Sequence, residues 1–204
     1  MAKGSVIIVS GPSGVGKGTI VKAVVEKRTD LFLSVSCTTR APREGEIPGK
    51  SYYYISEEEF QKRIDEKYFL EWNDYVDHRY GTPIGPVLEA MEEGKSTLLE
   101  IEVNGAAKAK KSYPEAVLVF VLPPSMSELK RRLGARDADN PVALAQVDKR
   151  MERALEEIEH IDEYDYVIVN DNLNEAIVKL NEIVNAGNMR VKNNKEIIEK
   201  IKNS

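Results

Sequence analysis

The residues best suited to chemistry lie in the stretch GPSGVGKGT, which directly follows the apolar run Ser5–Val9. Four residues separate Gly11 from the pair Gly16-Lys17, which is the spacing of a phosphate-binding loop. Glycines permit a tight path with inward-pointing N–H groups, and a helix beginning at about Lys17 would add its N-terminus to the cradle. Because a strand, this loop and a helix are predicted in succession, a Gly-rich turn without function is disfavoured. The predicted polyphosphate cradle comprises Gly11, Pro12, Ser13, Gly14, Val15, Gly16, Lys17, Gly18 and Thr19.

One position departs from the general loop motif. Gly18 follows Lys17 where Ser or Thr usually supplies a hydroxyl ligand for Mg²⁺, although Thr19 comes next. This GKGT variant resembles nucleotide monophosphate kinases more than GTPases or motor ATPases. The sequence therefore identifies no protein ligand for Mg²⁺. We expect the phosphates of the bound nucleotide and water molecules to hold most of the ion's coordination sites.

A second candidate site lies in SCTTRAPREGEIPGKSYYY, where Arg40 and Arg43 are three residues apart around Pro42. Two guanidiniums in such a loop can converge on one phosphate through bidentate hydrogen bonds. A solvated basic loop is the alternative, and these residues alone favour neither interpretation.

Five short apolar, β-branched runs predict the strands that position these loops. Helical patterns separate the runs, which favours an α/β fold with a parallel sheet flanked by helices. Predicted helices include 17–28, 142–161 and 174–186, and Ser56 and Ser125 each open a capping-box signature. The predicted strands are SVIIVS, FLSVSC, STLLEIE, AVLVFVL and YDYVIVN.

Two segments interrupt this alternation within what we predict to be a single domain. They extend over 37–94 and 125–161, and leave a core formed by 1–36, 95–124 and 162–204. Both would grow from strand ends, at the edge where open α/β sheets bind ligands.

Composition narrows the possible partners and the compartment. With a net charge of −5, 42% hydrophobic residues and 31% charged residues, the chain is typical of soluble globular proteins and has no general attraction to nucleic acid. We find no stretch suited to a membrane span or a signal peptide. Cys37 is the single cysteine, so no intrachain disulfide can form, and a cytoplasmic location is expected.

Farther along the chain come FLEWNDYVDHRYGTP and LLEIEVNGA. Together with GPSGVGKGT and the TTR-x-PR-x-GE pattern, these blocks resemble guanylate kinase, which uses ATP to convert GMP to GDP. The resemblance covers about Gly4 to Asp171. It implies a P-loop NTPase fold with an inserted GMP-binding subdomain (37–94) and a lid (125–161). The implied substrates are ATP and GMP, with dGMP as a further candidate, the implied cofactor is Mg²⁺, and the implied state is a monomer or weak homo-oligomer.

The resemblance also implies a role for each matching residue. Glu71 and Thr82 would recognise guanine, Glu102 would act on the base or Mg²⁺ side, and Asn170 would contact the adenine of ATP. Together with Lys17, arginines from both inserted segments would stabilise the transferring phosphoryl group; these are Arg40, Arg132, Arg136 and Arg150. The GMP phosphate would be held by Ser36, Arg40, Arg43, Tyr52 and Tyr80.

Elementary chemistry agrees with the roles given to Glu71 and Thr82. A carboxylate can accept hydrogen bonds from guanine N1–H and N2–H₂ together, whereas adenine offers neither donor. Two alternatives stay open: a kinase for another nucleoside monophosphate or small molecule, and a non-catalytic interaction module. The lid sequence GARDADNPVALAQ and the run Asp77-His78-Arg79 depart from the usual family pattern.

Overall fold

The computed structural model describes residues 3–75, 77–136 and 141–203. Within these ranges, the description of residues 136, 142 and 143 is limited to the backbone. In chain order, the strands are β1 (Val6–Ser10), β2 (Leu31–Leu33), β3 (Cys37–Thr38), β4 (Tyr53–Tyr54), β5 (Phe69–Tyr75), β6 (His78–Pro83), β7 (Ser96–Glu100), β8 (Val117–Leu122) and β9 (Tyr166–Val169). The α-helices are α1 (Lys17–Val25), α2 (Glu57–Asp65), α3 (Ile84–Glu92), α4 (Val103–Ser112), α5 (Met126–Arg136), α6 (Pro141–Leu144), α7 (Val147–Ile158), α8 (Leu173–Asn188) and α9 (Lys195–Lys202). Short 3-10 helices occupy Ile161–Glu163 and Val191–Asn194.

A parallel sheet forms the centre of the described fold, with its strands in the order β2-β7-β1-β8-β9. Strand β1 is central and every one of its residues is buried. Its alternate side chains enter two different apolar clusters: Ile7 and Val9 pack with α1, α5 and α8, whereas Val6 and Ile8 pack with α3 and α4. Because helices cover both faces of its central strands, these need mostly apolar residues, as the sequence predicted. The edge strand β9 differs from the predicted buried strand, since only Ile168 of its four residues is buried.

A second sheet, ordered β4-β3-β6-β5, is inserted between β2 and α3. Strands β5 and β6 pair antiparallel over most of their length, and helix α2 packs on them through Phe60, whose ring stacks on Phe69 at 4.7 Å. Lys108 on α4 donates to the Trp72 carbonyl at 3.0 Å and to Asn73 Oδ1 at 2.9 Å, which ties this sheet to the core.

The predicted α/β fold with a parallel sheet flanked by helices is confirmed, with differences in individual elements. The run FLSVSC is divided between β2 and β3, because Cys37 pairs with Gly81 and Tyr53 of the second sheet. The predicted helix over 142–161 is two helices, and α7 begins at Val147, whose side chain is buried in the core. Tertiary packing therefore sets the start of α7.

Both predicted serine caps are present. The Ser56 hydroxyl accepts from the Glu59 N–H at 3.1 Å, and the Ser125 hydroxyl accepts from the Glu128 N–H at the same distance. The acidic partners pair with arginines of their own helices, Glu59 with Arg63 and Glu128 with residues 131 and 132. None of the helices in the described ranges has the length and apolar character required to cross a bilayer.

Candidate active site

The predicted phosphate-binding loop connects the central strand β1 to α1. Gly11, Gly14 and Gly16 have φ values of 135°, 91° and 93°, a region of backbone conformation that favours glycine. A side chain at Gly11 would also collide with the Val121 carbonyl of the neighbouring strand. Lys17 Nζ donates to the carbonyls of Gly11 and Pro12, the latter at 3.0 Å, so its ammonium group lies across the mouth of the loop.

Asn170 fixes the far side of this loop. Its side chain is buried, and Nδ2 donates to the Val15 carbonyl at 2.7 Å. A Cβ at Gly16 would lie 2.6 Å from the same nitrogen, so glycine is required for this close approach. Asn170 thus supports the phosphate-binding loop directly, and its predicted contact with adenine stays a prediction.

Glu100, at the end of β7, lies beside the position that lacks the motif hydroxyl. A Cβ at Gly18 would be 3.3 Å from both Glu100 carboxylate oxygens, so a larger residue there would crowd the carboxylate. The Glu100 side chain is exposed, but the protein atoms around its carboxylate displace part of the surrounding water and raise its pKa, while the charge of Lys17 opposes that rise. Among the described residues, no group of three or more His, Cys, Asp or Glu side chains is arranged to hold a metal ion.

Arg40 is held in place by Glu46, a residue that the sequence analysis did not select. The guanidinium donates to the two Glu46 oxygens at 3.0 and 2.9 Å, and its Nε donates to the Tyr80 hydroxyl at 3.2 Å. Glu46 Oε2 also accepts from the Tyr54 hydroxyl and from the Arg43 backbone N–H. Principally because of Arg40, the pKa of Glu46 falls to about 2.

The predicted phosphate-binding tyrosines surround this guanidinium. Arg40 lies 5.5 Å from the Tyr52 ring centre, and the rings of Tyr52 and Tyr80 meet edge to face at 5.8 Å. Burial raises the pKa of Tyr52 to about 12. Arg43 is exposed, and Ser36 adjoins Cys37 at the start of β3. The structure therefore brings Arg40, Tyr52 and Tyr80 into one cluster.

Glu71 and Thr82 form a second preassembled unit. They are opposite one another on β5 and β6, both are buried, and the Thr82 hydroxyl donates to Glu71 Oε1 at 2.6 Å. A Cβ at Gly105 would lie only 3.0 Å from Glu71 Oε2, so Gly105 lets helix α4 approach the carboxylate. Burial raises the pKa of Glu71, against the effect of the Thr82 hydrogen bond.

Glu102, the N-cap residue of α4, is near a further carboxylate that the sequence analysis did not select. Its pKa is raised to about 8, first by burial and then by the charge of Glu157 on α7, while Lys17 and Arg153 oppose the rise. Burial also raises the pKa of Glu157, again opposed by Lys17 and Arg153. Residues of α7 therefore contribute to the electrostatics of the phosphate-binding region.

The predicted lid arginines occupy different surroundings. Arg150 Nη2 donates to the Ser13 hydroxyl of the phosphate-binding loop at 2.8 Å. Arg132 donates to the Asn170 carbonyl at 3.0 Å and to Glu128 at 2.8 Å. The side chain of Arg136 lies outside the described residues. Arg150 thus contacts the loop itself, and Arg132 contacts Asn170, whose side chain binds the loop.

Some of the residues that the sequence analysis missed carried a usable signal. Glu46 ends the TTR-x-PR-x-GE pattern, and Glu100 is the first acidic residue of LLEIE, so both stand in recognised blocks. Glu157 and Arg153 occur in a densely charged helix, where a solvated face was the simplest interpretation. Only their position in the fold distinguishes them from the surrounding charges.

Known proteins similar to this chain span nearly its whole length. Residues 3–187 match the family model described as guanylate kinase. The chain is 46% identical over 200 residues to a guanylate kinase of Caldanaerobacter subterraneus subsp. tengcongensis, covering 98% of this chain and 96% of that protein. It is 46% identical over 182 residues to a guanylate kinase of Synechocystis sp., covering 89% and 94%. The crystal structure of guanylate kinase from Anaplasma phagocytophilum matches with a TM-score of 0.77 at 33% identity, covering 93% of this chain and 88% of that one.

Proposed function

The chain belongs to the guanylate kinase family, and from that premise we propose that it transfers the γ-phosphoryl group of ATP to GMP, giving GDP and ADP. The observation that carries the proposal is the presence of two preorganised anion sites in one fold: Lys17 lies at the mouth of loop 11–19, and Arg40 is held by Glu46 and Tyr80. The charge of Glu100, beside the phosphate-binding loop, adds to the rise that burial causes in the pKa of Tyr52, which agrees with the loop and the Arg40 cluster lying near each other. A loop for a polyphosphate and a cluster for a monophosphate therefore face the same region, as transfer between two nucleotides requires.

On the ATP side, residues 11–19 would surround the phosphates with backbone N–H groups and the N-terminus of α1. Lys17, already at the mouth of the loop, would exchange its carbonyl contacts for phosphate oxygens. Arg150 and Arg132 would add positive charge from α7 and α5, and Arg136 is assigned the same role from the family pattern. Asn170 would contact adenine while keeping its hydrogen bond to Val15.

On the GMP side, Arg40 would bind the phosphate from a preset position. Glu46 fixes the guanidinium plane, and Tyr80 and Tyr52 line the same cluster. Arg43, which is exposed, and Ser36 would complete the phosphate contacts. A guanidinium already oriented by a carboxylate loses less rotational freedom on binding.

Glu71 and Thr82 would distinguish guanine from adenine. In its ionised form, the Glu71 carboxylate would accept from guanine N1–H and N2–H₂. The Thr82 hydroxyl would rotate its hydrogen away from Glu71 and donate it to guanine O6. With adenine bound, the buried carboxylate would lose both partners, which is costly. Glu102 would assist on the base side of the same pocket.

No general base is needed for the transfer. A nucleoside monophosphate has a second pKa near 6, so its attacking oxygen is largely anionic at neutral pH. The barrier lies in bringing two polyanions together and in the charge of the moving phosphoryl group. Lys17, Arg40 and the arginines of the lid would offset that charge, and closure of segments 37–94 and 125–161 over the core would exclude water as a competing acceptor.

Mg²⁺ is the cofactor that this reaction requires, and the residues beside Gly18 fit it. Glu100 presents carboxylate oxygens where the motif hydroxyl is missing, and hard oxygen ligands are those Mg²⁺ prefers. When bound, the ion would neutralise charge on the phosphates of ATP. Phosphate oxygens and water molecules would be its remaining ligands. We further assign the protein to the cytoplasm, as a monomer or weak homo-oligomer with no nucleic-acid or membrane partner.

A coupled assay for ADP production tests the proposal, with ATP, Mg²⁺ and each of GMP, dGMP, AMP, CMP and UMP. We expect rapid turnover with GMP and almost none with AMP, CMP or UMP. Equal use of AMP and GMP would contradict the role of Glu71. Absence of turnover with every nucleotide, in a folded protein, would instead indicate a non-catalytic interaction module.

A further inference from the structure

Helix α7 contacts both halves of the candidate site through two arginines that are one helical turn apart. Arg150 donates to Ser13 in the phosphate-binding loop at 2.8 Å. Arg153 contacts the second sheet, where its guanidinium carbon lies 4.8 Å from the ring centre of Tyr75 at the end of β5. One rigid helix thus links the loop assigned to ATP with the strand that carries Glu71.

Tyr75 is connected in turn to the phosphate cluster of the GMP side. Its ring meets that of Tyr80 edge to face at 6.2 Å, and the Tyr80 hydroxyl accepts from Arg40 Nε at 3.2 Å. Tyr75 also lies four residues after Glu71 on β5, so the two side chains share one face of the strand. A displacement of Tyr75 would therefore reach Arg40 through Tyr80, and Tyr75 lies on the same face of the strand that carries Glu71.

Arg153 also lies within the electrostatic field of two carboxylates. Its charge lowers the pKa values of Glu102 and Glu157, both of which burial raises. Without Arg153, these acids would face each other with less compensation as phosphates arrive nearby. The position of Arg153 therefore combines an aromatic contact with charge balance at the junction of α7 and the second sheet.

On the basis of the proposed function, we propose that Arg153 and Tyr75 are positioning residues for phosphoryl transfer. Their contact couples GMP binding at Arg40 and Glu71 to the placement of Arg150 over the phosphate-binding loop. When GMP settles against β5 and β6, the Tyr75 ring is fixed and holds α7 through Arg153. The affinity for ATP then rises, and by thermodynamic reciprocity bound ATP raises the affinity for GMP equally.

Calorimetric titration of GMP, with and without saturating Mg²⁺ and a non-hydrolysable ATP analogue, measures this coupling. We expect the analogue to strengthen GMP binding to the wild-type protein. In Arg153→Gln, that enhancement should fall by about tenfold, the size expected for loss of a partly buried cation–aromatic contact. Affinity for GMP alone should stay within about twofold, because Arg153 lies outside the GMP phosphate cluster.

Matched variants separate coupling from general damage. Tyr75→Leu should lose the enhancement to the same degree, and the double variant should be no worse than either single one. Arg153→Lys and Tyr75→Phe should each retain part of it, because a cation and an aromatic ring remain. Lys149→Gln removes an exposed positive charge from the same helix and should behave as wild type.

Three outcomes would overturn the proposal: no enhancement in the wild-type protein, unchanged enhancement in Arg153→Gln, or additive losses in the double variant. The proposed function fails separately, because wild-type protein that cannot phosphorylate GMP would contradict it whatever the titrations give. An active wild-type enzyme with an unaltered Arg153→Gln variant would overturn the coupling alone.

Discussion

The Thr82 hydroxyl donates a 2.6 Å hydrogen bond to Glu71 across the paired strands β5 and β6, and both side chains are buried. The carboxylate is thereby held in one orientation before any nucleotide binds. Because Thr82 donates to one Glu71 oxygen, the lone pairs that are left on the carboxylate have a fixed arrangement. They can accept only from a ligand whose donors match that arrangement. Helix α4 covers the other side of the carboxylate, and a side chain larger than that of Gly105 would crowd Glu71 Oε2 there.

Replacing Glu71 with Gln should lower kcat/KM for GMP by about a hundredfold or more, because the amide presents one acceptor and two donors to a pair of guanine donors. Activity toward AMP should change little in absolute terms, so the preference for GMP narrows. Steady-state kinetics with both nucleotides measures the ratio. The exposed Glu58→Gln on α2 serves as the control, and an unchanged GMP preference in Glu71→Gln would remove Glu71 from the recognition site.

Lys17→Ala should lower kcat by about a thousandfold or more, since the ammonium group would no longer offset charge on the transferring phosphoryl group. The circular dichroism spectrum should be unaltered. Lys22→Ala on the same helix removes a mostly exposed lysine that pairs only loosely with Glu26, at 3.9 Å, and should keep full activity. Near-normal turnover by Lys17→Ala would mean that the loop does not bind the reacting phosphates.

Glu46→Gln should raise KM for GMP by about tenfold, because Arg40 loses the ion pair that orients it. It should also reduce the free energy of unfolding at neutral pH by about 1–3 kcal/mol. The pKa of Glu46 is lowered from 4.5 to about 2, so its stabilisation is complete above about pH 4.5 and is lost as the pH falls toward 2. Urea unfolding from pH 2 to 7 should show the free energy of unfolding falling with decreasing pH in the wild-type protein. The fall should be smaller in the variant.

The exposed Glu44→Gln in the same loop controls for loss of charge. A lower KM for GMP in Glu46→Gln would contradict the orienting role, because it would mean that Glu46 competes with the phosphate for Arg40.

Glu102→Gln should stabilise the nucleotide-free protein at alkaline pH. Burial and Glu157 raise the pKa of Glu102 from 4.5 to about 8, so the wild-type protein loses stability as the pH rises across that interval. Removing the titration should increase the free energy of unfolding at pH 8 by about 1–3 kcal/mol, with little effect at pH 4. Glu157→Gln should give an intermediate result, since burial, the largest cause of the raised pKa of Glu102, is still present in that variant.

Denaturant titrations at the two pH values measure the difference, and GMP turnover by Glu102→Gln should fall in the same preparations. Equal destabilisation at both pH values would show that Glu102 acts through packing and not through its ionisation.

Much of the backbone of the candidate site could be predicted from local sequence. The glycines of the loop between β1 and α1 have positive φ angles, and α1 begins at Lys17 directly after them. The spacing of Gly11, Gly16 and Lys17 was sufficient to predict both features. The serine caps of α2 and α5 are equally local. The break before α7 could not be predicted in this way, because the burial of Val147 against distant helices determines where that helix begins.

By itself, the sequence determined the α/β fold and the glycine-rich loop between β1 and α1, because these depend on residue type at short, fixed spacing. Its resemblance to guanylate kinase supplied the candidate residues of a second phosphate site and a guanine pocket. Only the tertiary structure decided that Glu46 orients Arg40, that Glu100 stands beside Gly18, and that Arg153 reaches Tyr75. In each case a charged side chain finds its partner through strand pairing and helix packing. Exposed and engaged charges look alike in a sequence, because burial and distance, which give them different energies, exist only after the chain has folded.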